Sequence, residues 1–215
     1  MKMNKLVVKK MELGPIGTNA FLNWEEGGEE AILIDAPPDC AKEVQQVLHE
    51  QNLTLKEIWL THGHWDHMAG AHELVDENIE VLGHMDDRMM FEDPAVMTQF
   101  SIPGLELKPV QITRWISDGD ELSFLGRSVK VLHCPGHCPG NVAFWVGAEN
   151  LCFVGDVIFS GSIGRTDLPG GDFPALERSI REKIYPLPDG TALAVGHGPD
   201  TSVRQEKLTN PFVRP

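Results

Sequence analysis

The sequence predicts an α/β fold of the four-layer αββα type, two sheets packed face to face with helices outside. Three observations carry this expectation. Strand-like and helix-like segments alternate, strands dominate each half, and a helix closes each half. Neither a low-complexity run nor a linker interrupts the 215 residues, so residues 1–215 are expected to form a single domain.

The elements follow in order. Lys5 to Lys10, Asn19 to Trp24 and Glu30 to Asp35 read as strands, with Glu26-Gly27-Gly28 as the turn between the last two. Asp39, after Pro37-Pro38, is expected to cap a helix whose apolar face is Val44, Val47 and Leu48. Glu57 to Leu60 is a short buried strand running into Thr61-His62, and a helix is expected to follow through Leu74. Ile79 to Leu82 is another strand. Met85 to Gln99 reads as short helices and loop, its methionines filling core gaps. In the second half, Glu121 to Leu125 and Ser128 to His133 form a hairpin around Gly126-Arg127. Asn141 to Val146 and Leu151 to Gly155 form another around Gly147 to Asn150. Asp172 starts a helix with Leu176, Ile180 and Ile184 on one face, and Thr191 to Val195 is a last strand ending at Gly196-His197.

Composition narrows the function. Lys and Arg total 18 against 32 Asp and Glu, a formal charge of −14. Such a surface repels phosphate backbones and anionic lipid, which excludes nucleic acid and membranes as expected partners. The Met1 to Leu13 segment has no long apolar stretch and nothing later reaches transmembrane length, so a cytoplasmic protein is expected, monomeric or a small homo-oligomer. Cys134 and Cys138 bracket His137, but no second cysteine pair completes a tetrahedral cage. Free thiols are expected at all four cysteines.

The strongest signal is Thr61-His62-Gly63-His64-Trp65-Asp66-His67, three histidines and a carboxylate within six positions. On a loop leaving a strand, His62 and His64 can point the same way and grip one metal. Asp66 and His67, starting the next helix, can face a second. A structural zinc site closes with four ligands, whereas this cluster continues elsewhere, as a catalytic site with open positions does. His137 lies on a loop after a strand, Asp156 ends the strand Leu151 to Gly155, and His197 ends the strand Thr191 to Val195. All three stand where a strand gives way to a loop, the usual setting for site residues on a rigid scaffold.

His62-x-His64-x-Asp66-His67, followed by His137, Asp156 and His197, resembles the complete signature of the metallo-β-lactamase superfamily. The resemblance implies one metal on His62, His64 and His137, a second on Asp66, His67 and His197, and Asp156 bridging both. It runs from about Asn19 onward. Gly164 to Asp172 and the ending Thr209-Asn210-Pro211-Phe212 resemble the short glyoxalase II-like (hydroxyacylglutathione hydrolase-like) branch. Where family members carry Asp-Pro-Gly, this chain has Asp35-Ala36-Pro37-Pro38, which keeps the carboxylate expected to hydrogen-bond a ligand histidine. Full-length glyoxalase II resembles this chain plus a C-terminal helical domain with basic residues for glutathione. Weak selectivity for the thiol half is therefore expected.

Together these readings predict a binuclear metal-dependent thioester hydrolase with two divalent ions. Zinc suits the ligands, as do iron and manganese. A small 2-hydroxyacyl thioester such as S-lactoylglutathione is cleaved by a metal-bridging hydroxide, with Asp66 orienting the nucleophile. Arg165, the one cation of the loop Ser160 to Asp172, either holds a substrate carboxylate or braces Asp167. The competing expectation is a mononuclear iron persulfide dioxygenase of the same fold, which Gly164-Arg165-Thr166-Asp167 also resembles.

Overall fold

The computed structural model describes residues 4–215, so the first three residues of the Met1–Leu13 segment lie outside it. It contains two six-stranded sheets. The chain divides into two compact units, residues 1–83 with 88–115, and residues 84–87 with 116–215.

The sheet of the first unit is ordered β1 (Leu6–Leu13), β2 (Thr18–Glu25), β3 (Glu30–Ile34), β4 (Thr54–Trp59), β5 (Glu80–His84) and β6 (Arg114–Ile116). The first three strands pair antiparallel, whereas β3, β4 and β5 run parallel. A parallel step needs a crossover. Between β3 and β4 it is helix α1 (Cys40–Gln51), which buries Val44 and Val47 in a core with Leu33, Ile58 and Val81.

Two expectations fail here. Asp39 does precede α1, but it adopts a left-handed φ of 63° and its side chain makes no capping bond. At the helix start the Cys40 N–H bonds the Pro37 carbonyl at 3.2 Å. The helix expected through Leu74 is only α2 (Trp65–Met68) and a 3₁₀ turn at Ala71–Glu73. At the break the Gly70 N–H bonds the Ala36 carbonyl at 2.8 Å, and the backbones pack so closely that a Cβ on Gly70 would lie 2.1 Å from the Pro37 carbonyl oxygen. In the Met-rich stretch, short helices form at Met85–Asp87, at α3 (Arg88–Glu92) and at Pro94–Phe100. Met90 and Met97 fill core gaps as expected, but Met85 and Met89 are exposed.

In the second unit β7 (Glu121–Phe124), β8 (Arg127–His133), β9 (Val142–Val146), β10 (Leu151–Gly155), β13 (Ala192–Val195) and β14 (Thr201–Ser202) form the second sheet. Strands β11 (Ile158–Phe159) and β12 (Ser162–Ile163) make a separate small hairpin. The β7–β8 turn lies at Leu125-Gly126, both with positive φ, rather than at Gly126-Arg127. Arg127 is in the strand because its buried guanidinium bonds Glu149 and the Leu125 carbonyl. Asp172 caps helix α4 (Phe173–Ser179) through the Ala175 N–H at 3.0 Å, and a π-helical turn follows at Ile180–Ile184. Leu176, Ile180 and Ile184 are all buried, as their spacing predicts. Strand β6 and helix α5 (Val203–Thr209) carry patterns too short to announce themselves in the sequence.

All four cysteines are free and buried. Burial pushes the Cys40 and Cys134 thiols up to about 12, and those of Cys138 and Cys152 well above the usual range. Among the described residues no helix is long and apolar enough to cross a membrane.

Candidate functional site

In the first unit the donors lie where parallel strands stop. β3 and β4 end side by side, Ile34 opposite Trp59, and the Asp35 N–H reaches the Trp59 carbonyl at 3.0 Å. The left-handed conformation of Asp35 (φ 59°), one that aspartate tolerates better than most residues, turns its carboxylate toward the loop after β4. There it accepts the Thr61 N–H at 2.8 Å, the Thr61 hydroxyl at 2.8 Å and the His67 Nδ1–H at 2.8 Å. The expected histidine partner of Asp35 is therefore His67.

His62, His64, Asp66 and His67 are all buried. The His62 ring lies 4.7 Å from that of His64 and 4.1 Å from that of His67, centroid to centroid. The Asp66 carboxylate accepts the Thr18 hydroxyl at 3.0 Å and stands 3.3 Å from His67 Nε2.

The hydrogen bonds also settle the tautomers. A carboxylate only accepts, so His67 carries its proton on Nδ1 and its lone pair on Nε2. The Thr61 hydroxyl spends its proton on Asp35, so at 3.1 Å it accepts from His62 Nδ1, and the lone pair of His62 is on Nε2 too.

The second unit draws its donors from three loops. His137 is buried in the loop between β8 and β9, and its Nδ1–H donates to the Arg165 carbonyl at 2.7 Å, again putting the lone pair on Nε2. Asp156 follows β10 and His197 follows β13, a parallel neighbouring pair joined beyond its end by the Gly196 N–H on the Gly155 carbonyl at 2.8 Å. His137 Nε2 and His197 Nε2 each lie 3.5 Å from the same Asp156 oxygen, Oδ2. Gly164 makes room for this: a Cβ there would lie 1.9 Å from the Asp156 carbonyl oxygen.

Arg165 forms a two-point ion pair with Asp167, Nε and Nη2 each at 2.7 Å, with both side chains exposed. The hydrogen bond from Arg165 holds the Asp167 carboxyl down at about 2. Of the remaining histidines, His84 and His133 stack at 4.0 Å. His133 Nε2 also donates to the Pro139 carbonyl at 2.8 Å.

Sequence reasoning missed Thr18, which braces Asp66 across 48 residues, and gave Thr61 no part although it quoted the residue. It also missed Asp87, a buried carboxylate on the segment 84–87 that accepts the Gly140 N–H at 2.6 Å. No spacing rule marks such long-range partners. Only a polar residue at the edge of an apolar run hints at them.

A metallo-β-lactamase superfamily model matches residues 13–197. Hydroxyacylglutathione hydrolase GloC of Haemophilus influenzae is 37% identical over 199 residues, 91% of this chain and 92% of that one. Among solved structures, BLEG-1, named a B3 metallo-β-lactamase, superposes with a TM-score of 0.88 at 37% identity, covering 96% of this chain and 99% of its own. TTHA1623, solved in a di-iron-bound form, gives 0.82 at 36% identity, covering 96% and 100%. ETHE1 from Myxococcus xanthus gives 0.74 at 26%, covering 96% and 84%. The fold class expected from strand and helix alternation is thus the one these relatives share. With its length matched from Leu13 to His197, the chain belongs to the metallo-β-lactamase superfamily, a superfamily of metallo-hydrolases whose fold implies a divalent metal.

Proposed function

We propose that this protein is a binuclear metal-dependent thioester hydrolase acting on small 2-hydroxyacyl thioesters such as S-lactoylglutathione. The observation that carries the reading is the pair of imidazoles converging on one carboxylate oxygen of Asp156, each at 3.5 Å. Ligands about 2.1 Å from a common tetrahedral ion stand roughly 3.4 Å apart, whereas a hydrogen bond would be shorter. The donor chemistry fits as well: His62, His67 and His137 all hold Nδ1–H in a hydrogen bond and offer Nε2, the form a metal takes.

In this reading the ligands are His62, His64, Asp66, His67, His137, Asp156 and His197. Asp156 is the ligand common to both ions, and zinc is the expected metal, with iron or manganese also suited to these donors. Bound divalent ions supply a hydroxide nucleophile near neutral pH and a Lewis acid for the carbonyl oxygen. Asp66, held by Thr18, orients the attacking water. Asp35 keeps His67 in its working tautomer. The departing thiol has a pKa of roughly 8.5 and leaves as thiolate without a strong general acid, which is why a thioester suits a site with no evident extra acid.

The test is metal analysis and turnover on protein purified with excess zinc. Two metals per chain and cleavage of S-lactoylglutathione well above that of a β-lactam are expected. A single iron per chain, with dioxygen consumed on a glutathione persulfide, establishes the dioxygenase alternative. Preferential β-lactam cleavage assigns the chain to the activity named for BLEG-1.

A further inference from the structure

We infer that Asp87 is a positioning residue for His137, a role that rests on the proposed reading of His137 as a metal ligand. His137 sits in the loop Cys134-Pro135-Gly136-His137-Cys138-Pro139-Gly140, where the Cys134 N–H bonds the Asn141 carbonyl at 2.8 Å and the Gly136 N–H bonds the Cys138 carbonyl at 3.1 Å. One side of the loop is held by helix α4. Ser179 Oγ donates to the Pro135 carbonyl at 2.8 Å, and a Cβ on Gly136 would lie 2.2 Å from the Leu176 nitrogen.

The other side is held by segment 84–87. The fully buried Asp87 carboxylate accepts the Gly140 N–H at 2.6 Å through one oxygen and the Cys138 thiol at 3.2 Å through the other. A Cβ on Gly140 would lie 2.6 Å from Asp87 Cγ, so this residue too is a glycine because the two backbones close on each other. His84, on the same segment, stacks on His133, which donates to the Pro139 carbonyl between those two contacts.

A buried carboxylate is tolerated only when it is hydrogen-bonded, and this one accepts from the two residues flanking Pro139, one of them next to His137. The Arg165 carbonyl sets the tilt of the imidazole, and Asp87 sets the backbone from which it projects. The pairing also gives Cys138 a role other than metal ligation.

The experiment is zinc titration of the apo-protein against a chromophoric chelator, with the cobalt(II) absorption spectrum as a second readout. Asp87→Ala is expected to weaken one of the two bound ions 10- to 100-fold per folded molecule and to alter the cobalt bands. Asp87→Asn, which keeps an acceptor for Gly140, is expected to recover most of that loss, and Cys138→Ala to shift affinity less than threefold. Should Asp87→Ala fail to fold, Asp87→Asn and Gly140→Ala decide, and wild-type affinity and spectrum in both overturn the inference. Lower apo stability with unchanged zinc affinity in the Asp87 variants also overturns it, since that is a purely structural role. His137→Ala separates the two layers. If it binds two zinc ions as the wild type does, the ligand reading fails. If it loses one while the Asp87 variants lose none, only the positioning inference fails.

Discussion

The first unit gathers four of the proposed ligands from one six-residue stretch, His62 to His67, whereas the second gathers three from loops 60 residues apart end to end, His137 to His197. The two sets are also supported differently. In the first, one carboxylate, Asp35, holds Thr61 and His67 directly and His62 through the Thr61 hydroxyl. In the second, the contacts are spread over several partners: the Arg165 carbonyl on His137, the Asp87 carboxylate on Cys138 and Gly140, and the Gly196 N–H tying the ends of β10 and β13. A compact set can share few supports, here Asp35 for Thr61 and His67 and Thr18 for Asp66. A dispersed one needs a scaffold whose strand ends already coincide, and parallel pairing in both sheets provides this.

The sharpest way to break this contrast is at the carboxylates. Asp156→Ala is expected to release more metal than Asp66→Ala, because it is the ligand proposed to serve both ions, and each should cut kcat by orders of magnitude. Elemental analysis alongside steady-state kinetics checks this, and equal metal content in the two variants would refute the shared role of Asp156.

Next in size is Asp35. Its removal strands the Thr61 N–H, the Thr61 hydroxyl and the His67 Nδ1–H in a buried site, so Asp35→Ala should cost about 3 kcal/mol of apo stability. Asp35→Asn should be milder, because asparagine accepts the left-handed φ of 59° and keeps one acceptor. Denaturant melts of the metal-free proteins measure both. If the alanine and asparagine variants are equally stable, the role given to the Asp35 carboxylate is wrong.

This asymmetry also explains what the sequence disclosed. The His62–His67 cluster is legible because its spacing is local. His137, Asp156 and His197 were legible only through a shared setting, glycine and strand end, together with the resemblance they complete. Strands β2, β3 and β5 show as short, nearly continuous buried runs beside turn residues. The helix expected through Leu74 failed because apolar periodicity does not register a backbone contact such as that of Gly70 with Pro37. Thr18 and Asp87 stayed hidden for a related reason: each acts on a residue 48 or more positions away, and one sequence carries no trace of that pairing.

A smaller effect is expected at Arg165, whose carbonyl supports His137 while its side chain faces Asp167. Because the carbonyl survives substitution, Arg165→Ala should leave zinc content intact. If the guanidinium exchanges Asp167 for a substrate carboxylate, KM for glutathione esters should rise several-fold while uncharged thioesters are spared. A uniform loss across all substrates would restrict it to bracing the loop. The smallest effect is a titration. Asp167, held at about 2 by the Arg165 hydrogen bond, should remain ionised as pH falls through 3.8. The sign follows from a depressed folded value: the pair contributes fully above the unfolded pKa and is lost as pH drops through the folded one. Carboxyl NMR should show the Asp167 midpoint return toward 3.8 in Arg165→Ala, and an unmoved midpoint would contradict the bidentate pair.

The buried thiols lend themselves to a different use. None of the four is a thiolate at neutral pH, so an alkylating reagent reacts with each only when the surrounding structure opens. Cys40 belongs to the first unit and Cys134, Cys138 and Cys152 to the second. Mass-resolved labelling therefore times the breathing of each unit with native reporters and no introduced probe. Equal rates at Cys40 and the other three would mark one cooperative body, whereas separate rates would mark two, each with its own clock.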